Sequence, residues 1–149
     1  MSLHYLLYHT VFRTKGSMLT INEEHERELF GYINGFCTNK NCKLFRVNGM
    51  PDHIHLLLSI PPDQSISQFI QVLKAESSKW LKLSPSFPHF IGWANGFAVF
   101  SYARRDYDTV RNYIMNQKIH HKSINFKEEY NSLLAEFGID SSKDRFFED

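Results

Sequence analysis

Two histidines, His53 and His55, sit one residue apart in Met50-Pro51-Asp52-His53-Ile54-His55-Leu56-Leu57-Leu58-Ser59-Ile60-Pro61. This stretch reads as a β-strand, in which successive side chains point to opposite faces. Ile54, Leu56, Leu58 and Ile60 then form an apolar row for a core, while His53, His55, Leu57 and Ser59 face the other way. Two imidazoles on one face can grip a single divalent ion, and a strand that only had to be buried needs neither. The pair lacks a third ligand, a nucleophile and a substrate surface. Further along, Tyr113 and Gln117 lie four residues apart in a helical pattern and share a face, which His120 and His121 continue. The Gln117 amide oxygen is a hard ligand that suits Mg2+ or Mn2+ beside imidazole, with positions left open for a phosphate oxygen. His120 or His121 is the alternative third ligand. The plainer reading makes His53 and His55 ordinary strand residues, Tyr113 a core tyrosine and Gln117 a surface amide. Tyr102, Tyr107 and Tyr130 are rivals to Tyr113, but none has so suitable a polar partner four residues on.

The elements that must position these groups follow from periodicity and punctuation. Leu3–Arg13 reads as a first strand, ended by Lys15-Gly16-Ser17. Thr20 or Asn22 caps a helix with Leu29, Phe30, Ile33 and Phe36 inward, running to about Thr38. Cys42–Asn48 forms a second strand, and Gly49 turns it into the histidine strand as a hairpin. Ser65-x-x-Gln68 is a capping box for a helix that buries Ile66, Phe69, Ile70, Leu73 and Trp80. Trp93–Ala103 is a fourth strand with a bend at Gly96. The order βαββαβ is an α+β, ferredoxin-like (split βαβ) arrangement: an antiparallel sheet with helices on one face and the histidines on the open face. Asp106 caps the tyrosine helix, which runs to about His120. Ser123 or Asn125 starts a last helix with Phe126, Tyr130, Leu133, Leu134 and Phe137 inward and Gly138 closing it. The remaining residues are polar and expected to be loosely held. One domain spans 1–149, with its core at about 3–103, the tyrosine helix at about 106–121 and the final helix and tail at about 125–149.

Composition bounds the partners. The 149 residues are 42% hydrophobic and 22% charged, as in an ordinary globular domain. Neither a signal peptide nor a membrane-length apolar run is evident, and Cys37 and Cys42 lack metal or disulfide spacing, so a cytoplasmic protein with reduced thiols is expected. The formal net charge is only +1, yet residues 29–127 hold 12 Lys/Arg against 5 acids. A basic middle with acidic flanks suits a polyanion, and equally suits plain surface charge. Lys74, Lys79, Lys82, Arg104, Arg105 and Arg111 are the candidate phosphate contacts.

The His53-Ile54-His55 motif after Met50-Pro51-Asp52, the stretch Trp93-Ala94-Asn95-Gly96-Phe97 with Phe100-Ser101, and Tyr113-xxx-Gln117 occur in an informative order. Together they resemble the single-tyrosine transposases of the HUH endonuclease superfamily, including relatives associated with repetitive extragenic palindromes. The resemblance covers roughly residues 3–137. Ala94 stands where a glutamine is expected, at a position outside the chemistry. The resemblance implies that Tyr113 attacks a phosphodiester of single-stranded DNA, leaving a 5′-phosphotyrosine and a free 3′-hydroxyl. It implies that His53, His55 and Gln117 hold Mg2+ or Mn2+, and that DNA ends carry imperfect hairpins. It also implies a homodimer, often with the tyrosine helix of one subunit serving the other. No nucleotide cofactor is needed, because the covalent link conserves the bond energy. Two other classes compete: an inactive or domesticated nucleic-acid-binding module on the same fold, and a metal-dependent phosphodiesterase that uses water. The second would need a partner HxT/S motif, which the sequence lacks.

Overall fold

A computed structural model describes residues 3–149. Its core elements are β1 (Leu7–Arg13), α1 (Glu26–Asn39), β2 (Lys43–Met50), β3 (His53–Ser59), α2 (Ile66–Leu83) and β4 (Ala98–Tyr102). Three further helices follow: α3 (Tyr107–Met115), α4 (Gln117–His120) and α5 (Phe126–Glu136). The sheet order is β2-β3-β1-β4 and every pairing is antiparallel. This is the split βαβ topology expected from the element order.

One face of the sheet carries Phe12, Ile54, Leu56 and Leu58, packed against Leu29, Ile33 and Cys37 of α1 and Phe69, Ile70 and Leu73 of α2. Each such side chain contributes about 1.5–3 kcal/mol on burial. The other face is not open. Val11, Ala98 and Phe100 meet Phe126, Tyr130, Leu133 and Leu134 of α5, while Leu7 and Leu57 meet Val110 and Ile114 of α3. The alternation that sends His53 and His55 to this face also sends Leu7, Val11 and Leu57 there, and those residues demand a cover.

The β2–β3 hairpin sets the histidine strand. Met50 pairs with His53 across Pro51-Asp52, so Gly49 lies inside β2 and the turn comes two residues later. Gly49 is required there because a Cβ would sit 2.2 Å from the His53 carbonyl oxygen. The pairing of β1 with β3 then aligns Arg13 with His53 and Val11 with His55.

Several boundaries differ from the sequence reading. β1 starts at Leu7. Asn22 does accept a backbone N–H, from His25 at 2.9 Å, but it caps a turn that precedes α1. Trp93–Phe97 is not strand: Trp93 bridges only to Thr14, and Gly96 takes φ +83°. Lys74 of α2 holds the segment by donating to the carbonyl oxygens of Ala94 and Gly96, both at 2.7 Å. The tyrosine helix breaks at Asn116, whose ψ of 18° separates α3 from α4. The C-terminal residues are fastened. Phe146 is buried, its carbonyl accepts from Arg13 Nε at 2.9 Å, and Asp149 pairs with Arg13 at 2.7 Å.

Candidate active site

The rings of His53 and His55 are fully buried. Their Nε2 atoms lie 3.4 and 3.2 Å from one oxygen, Oε1 of Glu129 on α5. His121 Nε2 approaches the same oxygen at 3.0 Å. The second carboxylate oxygen accepts from Gln117 Nε2 at 2.7 Å and from the Tyr113 hydroxyl. Gln117 Oε1 lies 3.3 Å from His53 Nε2. Thus β3, α3, α4, α5 and the loop after α4 converge on one carboxylate.

Outer contacts aim the two rings. Asp52 Oδ1 holds His53 Nδ1 at 2.7 Å, and His9 Nε2 holds His55 Nδ1 at 2.7 Å. Such partners fix ring orientation and direct the remaining nitrogen to its ligand. Phe126 stacks on His53 with centroids 3.7 Å apart and rings 4° from parallel. The tyrosine helix is seated by Asn48 of β2, which donates to the carbonyl oxygens of Ile114 and Met115 at 3.1 and 3.0 Å. Lys118 of α4 pairs with Glu26 of α1 at 2.9 Å. The break at Asn116 does not undo the four-residue spacing: Asn116 N–H still reaches Asn112 O, and His120 N–H reaches Asn116 O.

Burial opposes charge on Glu129, but hydrogen bonds with His121, His53 and His55 outweigh it and hold the carboxyl well below the usual carboxylate range. His53 is desolvated too, yet Asp52 and Glu129 raise its pKa. For His55 desolvation prevails and the pKa falls. The Tyr113 phenol is pushed up by burial first and by Glu129 second.

One donor atom each from His53, His55 and Glu129 lie within 4.8 Å of one another. Imidazole nitrogens with carboxylate and amide oxygens form a donor set that fits a divalent ion of intermediate hardness. Tyr113 also walls a cleft of about 400 Å3, together with Tyr102, Arg105, Thr109 and Phe137.

The fold brings His53, His55, Tyr113 and Gln117 together in one chain. His121 joins them through Glu129, while the His120 ring lies 4.7 Å from that of Tyr113 with its Nε2 unpartnered among the described residues. Arg104 and Arg105 are exposed on a 3-10 turn before α3, and Arg111 lies on α3 itself. Lys79 and Lys82 are exposed on α2, in the opposite layer, and Lys74 is committed to backbone carbonyls. Sequence reasoning missed Glu129 and did not single out His9. A signal existed for both. Glu129 interrupts the buried stripe Phe126, Tyr130, Leu133, and His9 alternates between the core residues Leu7 and Val11.

The model of the family described as "Transposase IS200 like" matches residues 2–117. This chain belongs to that family. Over 74 residues, 50% of its length, the chain is 36% identical to the transposase for insertion sequence element IS200 of Salmonella typhimurium, covering 49% of that protein. It is 30% identical over 74 residues to the ISDra2 transposase TnpA of Deinococcus radiodurans, covering 53% of it. The chain therefore spans about half the length of these relatives. A crystal structure of a candidate transposase from Deinococcus radiodurans R1 superposes with a TM-score of 0.59 at 25% identity, covering 78% of this chain and 95% of that one. A REP-associated tyrosine transposase bound to a REP hairpin gives 0.62 at 14% identity, covering 83% and 76%, and so shares the fold.

Proposed function

We propose that this family member is a DNA transposase that nicks single-stranded DNA and transfers the strand through a tyrosine-linked intermediate. The observation that carries the reading is the Tyr113 hydroxyl bound to the same carboxylate that His53 and His55 face. In this reaction Tyr113 Oη attacks a phosphodiester phosphorus and the bond to the 3′-oxygen breaks, leaving a 5′-phosphotyrosine. The Tyr113 hydroxyl donates to Glu129 Oε2, which holds Oη in place; its proton passes to solvent as Oη attacks, and the departing 3′-oxygen gains a proton from solvent. His53, His55 and Gln117 hold Mg2+ or Mn2+, which when bound neutralises phosphate charge and stabilises the leaving oxygen. The cleft beside Tyr113 receives the nucleotide next to the scissile bond, with Arg105 on its wall. Arg104 beside it reaches the adjoining phosphates, while Arg111, with Lys79 and Lys82 on the far layer, contacts the strand elsewhere.

The partners under this reading are single-stranded DNA with hairpin ends and a second copy of the chain. The hairpin in the REP-associated neighbour's structure and the basic middle of the sequence support the first. Among the described residues no helix is long and apolar enough to cross a membrane.

The test uses end-labelled oligonucleotides carrying the inverted repeats that flank the gene, incubated with Mn2+. A denaturant-stable protein–DNA band is expected from the wild type. Tyr113→Phe should lose the band entirely and keep DNA binding. A Y113F protein that still cleaves overturns tyrosine as nucleophile, and cleavage by the wild type without a covalent band points to the water-using class.

A further inference from the structure

Three imidazole nitrogens converge on one oxygen of Glu129. Nδ1 of His121 is turned to Ile124 O at 3.0 Å and Nδ1 of His53 to Asp52 at 2.7 Å, so both rings aim Nε2 inward. Those two Nε2 atoms and that of His55 lie 3.0, 3.4 and 3.2 Å from Oε1 of a carboxylate that is only 1% exposed. One donor atom each from His53, His55 and Glu129 lie within 4.8 Å of one another, a spacing that a single divalent ion can span. Gln117 adds a further oxygen, Oε1, beside His53 Nε2, and turns its only donor group to the far side of the same carboxylate.

We propose that Glu129 is itself a ligand of the divalent ion, its Oε1 joining His53 and His55 as the centre's one anionic protein donor. Gln117 then works twice, offering its amide oxygen to the ion and its amide N–H to Glu129 Oε2. Two neutral imidazoles and an amide would leave the full double charge of the ion in a buried site. The carboxylate halves it and so reduces the cost of desolvation. Glu129, Tyr113 and both histidines meet within one chain. The mixed nitrogen and carboxylate set favours Mn2+ over Mg2+, which takes oxygen donors and keeps its waters.

This inference rests on the ion site proposed above and not on the tyrosine chemistry, so it is tested on the full chain without DNA. Mn2+ binding is followed by loss of the free-ion electron paramagnetic resonance signal and by calorimetry. Glu129→Gln keeps the volume and should weaken Mn2+ binding at least about 10-fold, the loss typical of even an outer partner of a metal site. Glu129→Asp should fall between E129Q and wild type. Thermal unfolding in EDTA checks that each variant is folded, and E129D alone decides the matter if E129Q is not. Mn2+ binding by E129Q equal to or tighter than wild type overturns the assignment, making the carboxylate a competitor for the ion's place. No binding by the wild type overturns the histidine pair as well. Wild type that binds Mn2+ through Glu129 but forms no covalent DNA band upholds the assignment and ends the proposed chemistry.

Discussion

At the scale of single residues, the site depends on side chains that touch nothing reactive. His9 is fully buried and stacks on His55 with centroids 5.0 Å apart. Burial and the neighbouring His55 push its pKa well below the ordinary histidine value, so it is a neutral ring. Its Nε2 meets His55 Nδ1, and its own Nδ1 has no partner among the described residues. If His55 Nε2 is to offer a lone pair inward, His55 Nδ1 must carry the proton and His9 must accept it. His9→Phe therefore frees the His55 ring and orphans its Nδ1. The expected result is a 10- to 100-fold loss of Mn2+ affinity by titration, roughly the effect of removing an outer partner. A stability loss of ~1–3 kcal/mol in urea unfolding should accompany it, from the unsatisfied nitrogen. Mn2+ affinity equal to wild type would show that packing alone orients the ring. His9 was readable only as a core position, because a strand pattern says which face a residue takes and not what it meets across the sheet.

At the scale of elements, periodicity located β3, α2 and α5 well, because each has a single dominant face. It failed where a tertiary contact overrode the local pattern. Trp93–Phe97 has strand composition, yet Gly96 turns it and Lys74 takes up its carbonyls. The polar tail contains Phe146 and Phe147, which close over Tyr130 and Phe126, while Arg13 gathers the backbone and Asp149. None of these partners is near in sequence. The strap made by Lys74 has a pH signature. Burial, then repulsion from Arg13, lowers its pKa from 10.5 to about 8. Between those values the unfolded chain binds more protons than the folded one, so this group makes stability rise with pH. Below about 8 the penalty for charging a partly buried ammonium is fully present, and above 10.5 it is gone. Lys74→Met removes the term. The stability of wild type relative to K74M should therefore increase steadily from pH 8 to pH 10 in urea titrations. A difference that is flat with pH would mean that the folded lysine titrates at its ordinary value.

At the scale of the whole molecule, the sheet separates two layers with different work. The α1–α2 layer covers the apolar row, and the α3–α5 layer covers the histidines and brings Tyr113 to them. The spacing of Tyr113 and Gln117 put both on one helical face, but it could not show that α5 supplies Glu129 beside them. The separation also divides the candidate phosphate contacts. Arg105 lines the cleft beside Tyr113, with Arg104 next to it, whereas Lys79 and Lys82 project from α2 across the sheet. Both pairs are exposed cations and either can hold a DNA backbone, but only the arginines can hold the phosphates that flank the scissile bond. Removing each phosphate contact should flatten the dependence of log K on log salt by about 0.7 for single-stranded DNA. The double variant R104A/R105A should lose that slope and also most of the covalent DNA band at saturating DNA, because the strand is no longer positioned at Tyr113. K79A/K82A should change the slope at most and leave the band at saturation intact. Equal loss of the band in both variants would place the scissile strand across both layers, and the division of labour drawn from the sheet would fall.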